Sequence, residues 1–104
     1  MKRYQILITR SAATDLWRII EYAAKQSLEP ALAQQLFDRI KNAVIGLDQM
    51  PTRYTLVAND HLAALGIRKL TIDRYIVFYK VSESDKSVSV LRILHGRRDW
   101  EHLL

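Results

Sequence analysis

The spacing of apolar positions changes character along the chain. Tyr4, Ile6 and Ile8 alternate with Gln5, Leu7 and Thr9, the period of a strand about six residues long. Leu16, Ile19, Ile20, Ala23 and Ala24 then recur at helical spacing. They predict a first helix from Ala12 to Lys25, with Ser11 as N-cap and Asp15 placed toward the positive end of the helix dipole. Trp17 lies beside this stripe and reads as a packing residue at its edge. Ser27-Leu28-Glu29-Pro30 interrupts the pattern, and a proline fits the first position of a new helix. Leu32, Leu36, Phe37, Ile40, Ala43, Val44 and Leu47 form the apolar stripe of a second helix, with Gln34, Asp38, Arg39, Lys41 and Asn42 on its polar face. That helix is expected to reach Met50-Pro51. So short a link between two amphipathic helices predicts an antiparallel hairpin.

Residues 51–65 read as a loop with one helical turn near Asp60 to Leu65. After Gly66 the period returns to two. Ile67 to Ile72, Tyr75 to Val81 and Ser87 to His95 read as three strands, joined by Asp73-Arg74 and by the polar stretch Ser82 to Lys86. Connections this short force antiparallel pairing. The expected fold class is α+β in one domain, residues 1–104: a strand, a helix hairpin, then a small twisted antiparallel sheet.

The second of these strands is apolar on both faces, with Tyr75, Val77, Tyr79 and Val81 on one and Ile76 and Phe78 on the other. The third repeats the pattern, with Val88, Val90 and Leu94 against Leu91 and Ile93. A helix pair covers only one face. The other needs the C-terminal tail or a partner protein over it. The expectation here is an open apolar face edged by cations, with Trp100 as a covering residue rather than a stacking platform for a base.

The chain has 104 residues, a net charge of +5 and no cysteine. A disulfide framework and a thiolate metal site are excluded. Ile6-Leu7-Ile8 is too short an apolar run for a signal peptide or a membrane span, and Arg10 closes it, so a cytoplasmic protein without membrane contact is expected. The positive charge suits a polyanion or an acidic partner, and equally suits simple solubility. His61, His95 and His102 lack ligand spacing, no Gly-x-Ser-x-Gly elbow or phosphate-cradling glycine loop occurs, and no cofactor or metal is expected. What remains is a cationic group near the strand ends: Arg68, Lys69, Arg74, Arg92, Arg97 and Arg98, with His95. Arginine forks suit phosphate oxygens, and a histidine beside them suits proton transfer. In the ordinary alternative, Arg92 pairs with Asp73 or Asp99 and His95 merely ends a strand.

At these residues the sequence resembles the RelE/ParE superfamily of type II toxin–antitoxin toxins. The segments that carry the resemblance are Ala12-Ala13-x-Asp15-Leu16, the hairpin end Met50-Pro51, Ile67-Arg68-Lys69-Leu70, Asp73 through Val81, and Leu91-Arg92-Ile93-Leu94-His95-Gly96-Arg97-Arg98-Asp99-Trp100. Together they span nearly the whole chain. The resemblance implies a growth-inhibiting bacterial toxin, of the kind found in plasmid-stabilising modules. Such a toxin is held inactive by an acidic antitoxin that lays a helix or strand across its apolar surfaces. It also implies one of two mechanisms. RelE-like members are ribosome-dependent mRNA endoribonucleases, and on that branch Lys69, Arg92, His95 and Arg98 are the catalytic candidates. ParE-like members poison DNA gyrase and are not enzymes, and on that branch Arg68, Lys69, Arg74, Arg92, Arg97, Arg98 and Trp100 are the target-binding candidates. The RelE-like pattern places an arginine after the strand tyrosine and a tyrosine near the C-terminus. Here Ile76 follows Tyr75, and the chain ends in Leu103-Leu104. The tail is closer to the ParE-like branch, so gyrase is the favoured target and the ribosome the alternative.

Overall fold

Thr9, not Ser11, starts the first helix. In the computed structural model, which describes residues 3–104, strand β1 (Gln5–Ile8) leads into helix α1 (Arg10–Gln26). The Thr9 side chain accepts from the Ala12 N–H at 3.1 Å and donates to the Leu91 carbonyl at 2.9 Å. This second bond favours the earlier cap, because it fixes the helix start to the sheet. Asp15 therefore lies past the first turn, and it is buried. Met1 and Lys2, where the reading of the N-terminal stretch begins, lie outside the described residues.

Helix α2 (Pro30–Ile45) starts with Pro30 in its first turn and stops five residues short of Met50. It passes into a 3-10 turn, Gly46–Asp48. Met50 then adopts a left-handed conformation (φ 48°) ahead of Pro51. The guanidinium of Arg53 donates to the carbonyls of Gly46, Gln49 and Met50, groups that a helix end leaves without partners. The expected turn in the following loop is helix α3 (Asp60–Ala64), capped by the Asn59 side chain on the Leu62 N–H at 3.0 Å.

Strands β2 (Arg68–Ile72), β3 (Tyr75–Ser82) and β4 (Ser87–His95) pair antiparallel as expected. The sheet has four strands in the order β1-β4-β3-β2, and β1 runs parallel to β4. The outer edge of β2 is partly paired by the loop: the Val57 N–H bonds Ile67, and the Lys69 N–H bonds Thr55. Among the described residues no helix is long and apolar enough to cross a membrane.

The faces of β4 depart from simple alternation. Phe78 pairs with Arg92 and Tyr79 with Val90, so Leu91 is an extra residue. A bulge of this kind reverses which residues point inward beyond it. Val88, Val90 and Ile93 consequently share the helix-covered face with Val77 and Tyr79, while Leu91 and Leu94 join Phe78 and Ile76 on the other. The sequence-based grouping of Leu94 with Val90 is thereby corrected.

The second face is not open. Phe78, Leu94, Leu62, Ile67 and Val57 form a core of their own, closed by Trp100, Leu103 and Leu104. The Trp100 ring lies 4.9 Å from that of Phe78, tilted by 37°. Asn59 donates to Glu101 at 2.7 Å and ties α3 to the tail. Residues as large as Phe78 and Leu94 each contribute about 1.5–3 kcal/mol when fully buried, which favours the tail folding back. The expected open docking face is therefore replaced by a second small core, with Trp100 covering it.

Candidate functional site

The cations predicted as one group divide into two sets. Arg68 belongs to the scaffold: its guanidinium donates to the Tyr54 carbonyl at 2.7 Å and to Thr52 at 3.3 Å, holding the loop before β2. Arg92 is more fully engaged. Nε and Nη2 form a fork with the two Asp15 oxygens at 2.7 and 2.8 Å, and Nη1 donates to the Leu103 carbonyl at 3.1 Å. Asp15 also accepts the Ile93 N–H at 3.0 Å. The partner is thus Asp15 on α1, neither Asp73 nor Asp99. Those two are engaged elsewhere, Asp73 with Arg39 and Asp99 with His102. The bonds to Asp15 hold the Arg92 guanidinium above its already high ordinary pKa, against the opposing effect of burial. Geometry explains why this pair forms. Strand β1 ends opposite Val90, so the edge of β4 beyond it is open to α1. Arg92 crosses that edge and joins the helix on one face to the tail on the other.

Lys69 stands in a cross-strand row with Phe78 and Arg92, half-buried on the tail-covered face. His95 ends β4 directly opposite Tyr75 on the helix-covered face. The two rings meet edge-on with centroids 5.5 Å apart. Its Nδ1 accepts the Arg97 N–H at 3.1 Å. The four residues proposed for a nuclease, Lys69, Arg92, His95 and Arg98, therefore do not converge on one point.

Arg74, Arg97 and Arg98 do remain exposed, and the fold brings them to one end of the sheet. The tight Asp73-Arg74 turn is locked against the turn after β4 by the Gly96 N–H bond to the Arg74 carbonyl at 2.8 Å. A Cβ at Gly96 would sit 3.4 Å from that carbonyl oxygen and beside Ile76, so the two turns pack in close contact here. Two shallow clefts flank this junction. One, of about 570 Å³, is lined by Thr71, Asp73, Arg74, Ile76, His95 and Arg97. The other, of about 550 Å³, adds Asp15, Arg18 and Tyr22 of α1 to Arg74, Tyr75, His95 and Arg98. Arg74 and His95 line both.

Arg18 and Tyr22 were not singled out from the sequence. The available signal was their spacing: Asp15, Arg18, Ile19 and Tyr22 recur at intervals that share a helix face. Tyr22 is 63% exposed, unusual for an aromatic ring with no structural task. A different face of α1 lines a third, apolar groove of about 360 Å³ between the two helices and β1. Ile8, Leu16, Trp17, Ile20 and Phe37 line it, and Trp17 there is 68% exposed. Among the described residues, the edge of β1 away from β4 pairs with no strand of the sheet.

Comparisons with known proteins agree with this fold. The P. aeruginosa chromosomal ParDE toxin–antitoxin system contains a chain 23% identical, with a TM-score of 0.73 over 91% of this chain and 98% of that one. A RelBE toxin–antitoxin complex from Mycobacterium tuberculosis has a chain 20% identical, with a TM-score of 0.62 over 91% and 93%. A free E. coli RelE toxin mutant is 13% identical, with a TM-score of 0.62 over 97% and 92%. Among curated proteins no sequence matches. Residues 6–100 match the model of the ParE toxin of the parDE type II toxin–antitoxin system, and the chain is a member of that family within the RelE/ParE superfamily.

Proposed function

We propose that this toxin halts growth as a binding protein rather than a nuclease, acting on DNA gyrase in the bacterial cytoplasm. Membership of the toxin family implies a cognate antitoxin. Here an acidic antitoxin, seated on the apolar groove around Trp17, keeps the toxin silent. The observation that carries the choice of mechanism is the scatter of the four nuclease candidates. Strand cleavage by acid–base chemistry needs its donors within hydrogen-bond reach of one reacting atom. Arg92 has its fork on Asp15. Lys69 and His95 belong to opposite sheet faces. A docking protein needs only a shaped, charged surface, and the sheet end with its two clefts supplies one.

The test uses purified toxin, gyrase and relaxed plasmid. The expected result is loss of supercoiling in proportion to toxin, reversed by antitoxin, with messenger RNA intact in a ribosome-containing extract. Undisturbed supercoiling together with transcripts cut on the ribosome would overturn this reading in favour of the endoribonuclease.

A further inference from the structure

Each cleft has one carboxylate in its wall, Asp73 in the first and Asp15 in the second, and each is already taken up by another arginine. Asp15 holds Arg92, Asp73 holds Arg39 and Asp99 holds His102. Arg18, Arg74, Arg97 and Arg98 form no ion pair among the described residues. All four are exposed. They come from three separate pieces of chain: α1, the β2–β3 turn and the turn after β4. Four exposed like charges gathered at one end of the sheet cost stability through mutual repulsion, and Asp73 and Asp15, each holding another arginine, offset it only in part. A fold that gives both cleft-wall acids arginines of their own and still leaves these four cations facing two adjoining clefts holds a surface prepared for an anion.

We propose that this sheet end binds the phosphodiester backbone of a nucleic acid, with successive phosphates in the two clefts that meet at Arg74 and His95. Three features favour phosphate over the carboxylates of a protein. The free cations are all arginines, whose planar forks match phosphate oxygens. The clefts meet at a shared ridge, which gives two adjacent anion positions rather than one. An exposed tyrosine, Tyr22, lines the cleft that holds Arg18 and Arg98, and cations beside an aromatic ring suit a sugar–phosphate chain with bases attached. The backbone N–H groups of Gly96, Arg97 and Arg98 already bond Arg74 and His95, so the grip falls to the side chains. This contact uses the same surface that the proposed function gives to target docking, and it is expected of the toxin alone, without gyrase. DNA and RNA present the same backbone chemistry, so the source is assigned by comparing them.

The experiment titrates the whole toxin, without gyrase or ribosomes, against labelled short duplex DNA, single-stranded DNA and single-stranded RNA at several salt concentrations. Binding should weaken steeply with salt. For duplex DNA the log–log slope should be near −4, since each neutralised phosphate contributes about −0.9. The double variant Arg74→Gln/Arg97→Gln should bind several-fold more weakly and lower the slope by about two units. The charge-matched control Lys41→Gln/Lys80→Gln, both exposed and lining neither cleft, should keep the slope. Melting curves for both variants check that the fold is unchanged. Preference for duplex DNA, or for either single strand, identifies the source and supports the proposal. Three outcomes overturn it: no binding at low salt, equal losses in the two double variants, or full displacement by polyglutamate at matched charge.

Discussion

Asp15 illustrates how one side chain holds several parts of this fold in place. It is buried, it accepts a bidentate fork from Arg92, and it accepts the Ile93 N–H. Removing one member of such a pair strands the other charge, at a cost of about 3–5 kcal/mol when fully buried. The Arg92 side chain is 20% exposed, which places the expectation at the lower end. Asp15→Ala should destabilise by about 3 kcal/mol in denaturant unfolding, and a loss under 1 kcal/mol would show that the pair is not structural. Arg92→Lys keeps the charge without the fork and should fall between that variant and the native chain. Tyr79 offers a second test at this scale. Its hydroxyl donates to the Pro51 carbonyl at 2.5 Å. Burial pushes the phenol from 10.0 up to about 12, opposed by nearby Arg68 and Arg53. The unfolded phenol ionises first as pH rises. The stabilisation is therefore complete below pH 10 and lost between pH 10 and about 12, by about 2–3 kcal/mol. Tyr79→Phe should remove that alkaline decline while lowering stability at neutral pH by about 1 kcal/mol. An unchanged alkaline decline in Tyr79→Phe would assign it to other groups.

At the scale of elements, the periodicity of the chain placed both helices, the short turn near Asp60 and the last three strands close to where they lie. These features depend on local spacing, and local spacing is what a sequence displays. Three features escaped because they depend on contacts across the fold. The cap at Thr9 is favoured by its bond to Leu91, eighty-two residues away. The bulge at Leu91 shifts Ile93 and Leu94 between faces, and nothing in the composition of β4 marks it. The partner of Arg92 is visible only once β1 ends early beside β4. The site divided in the same way. Arg74, Arg97 and Arg98 were legible as a cationic group, while Arg68, Arg92 and Trp100 proved to be occupied by the fold and Arg18 joined from α1. The tail gives the test at this scale. Trp100→Ala removes the ring packed on Phe78 and should cost about 2–3 kcal/mol. It should also expose Phe78 and Leu94 enough to bind a hydrophobic dye in the folded state. A variant that melts with the native chain and binds no dye would show that α3 covers this face without the tail.

Across the whole molecule, α1 is the element that both surfaces share. Ala13, Leu16, Trp17 and Ile20 face the apolar groove, while Asp15, Arg18, Ile19 and Tyr22 border a cationic cleft. If, as proposed, the antitoxin takes the groove and the target the cleft, the two recognitions use different faces of one helix and are separable by mutation. Trp17 is 68% exposed, so Trp17→Glu places a charge in the groove with little loss of core packing. That charge would be desolvated under an apolar antitoxin segment, at a cost of several kcal/mol. The variant toxin should still arrest growth, and co-expressed antitoxin should fail to rescue the cells. Arg74→Gln/Arg97→Gln should behave in the opposite way, binding antitoxin as tightly as the native toxin while losing most of its toxicity. Pull-down with antitoxin and a growth curve, run on both variants side by side, measure the two properties independently. If Trp17→Glu is neutralised as fully as the native toxin, the antitoxin sits elsewhere. If each variant loses both properties together, the two faces of α1 form a single binding surface, and the division of roles along the helix fails.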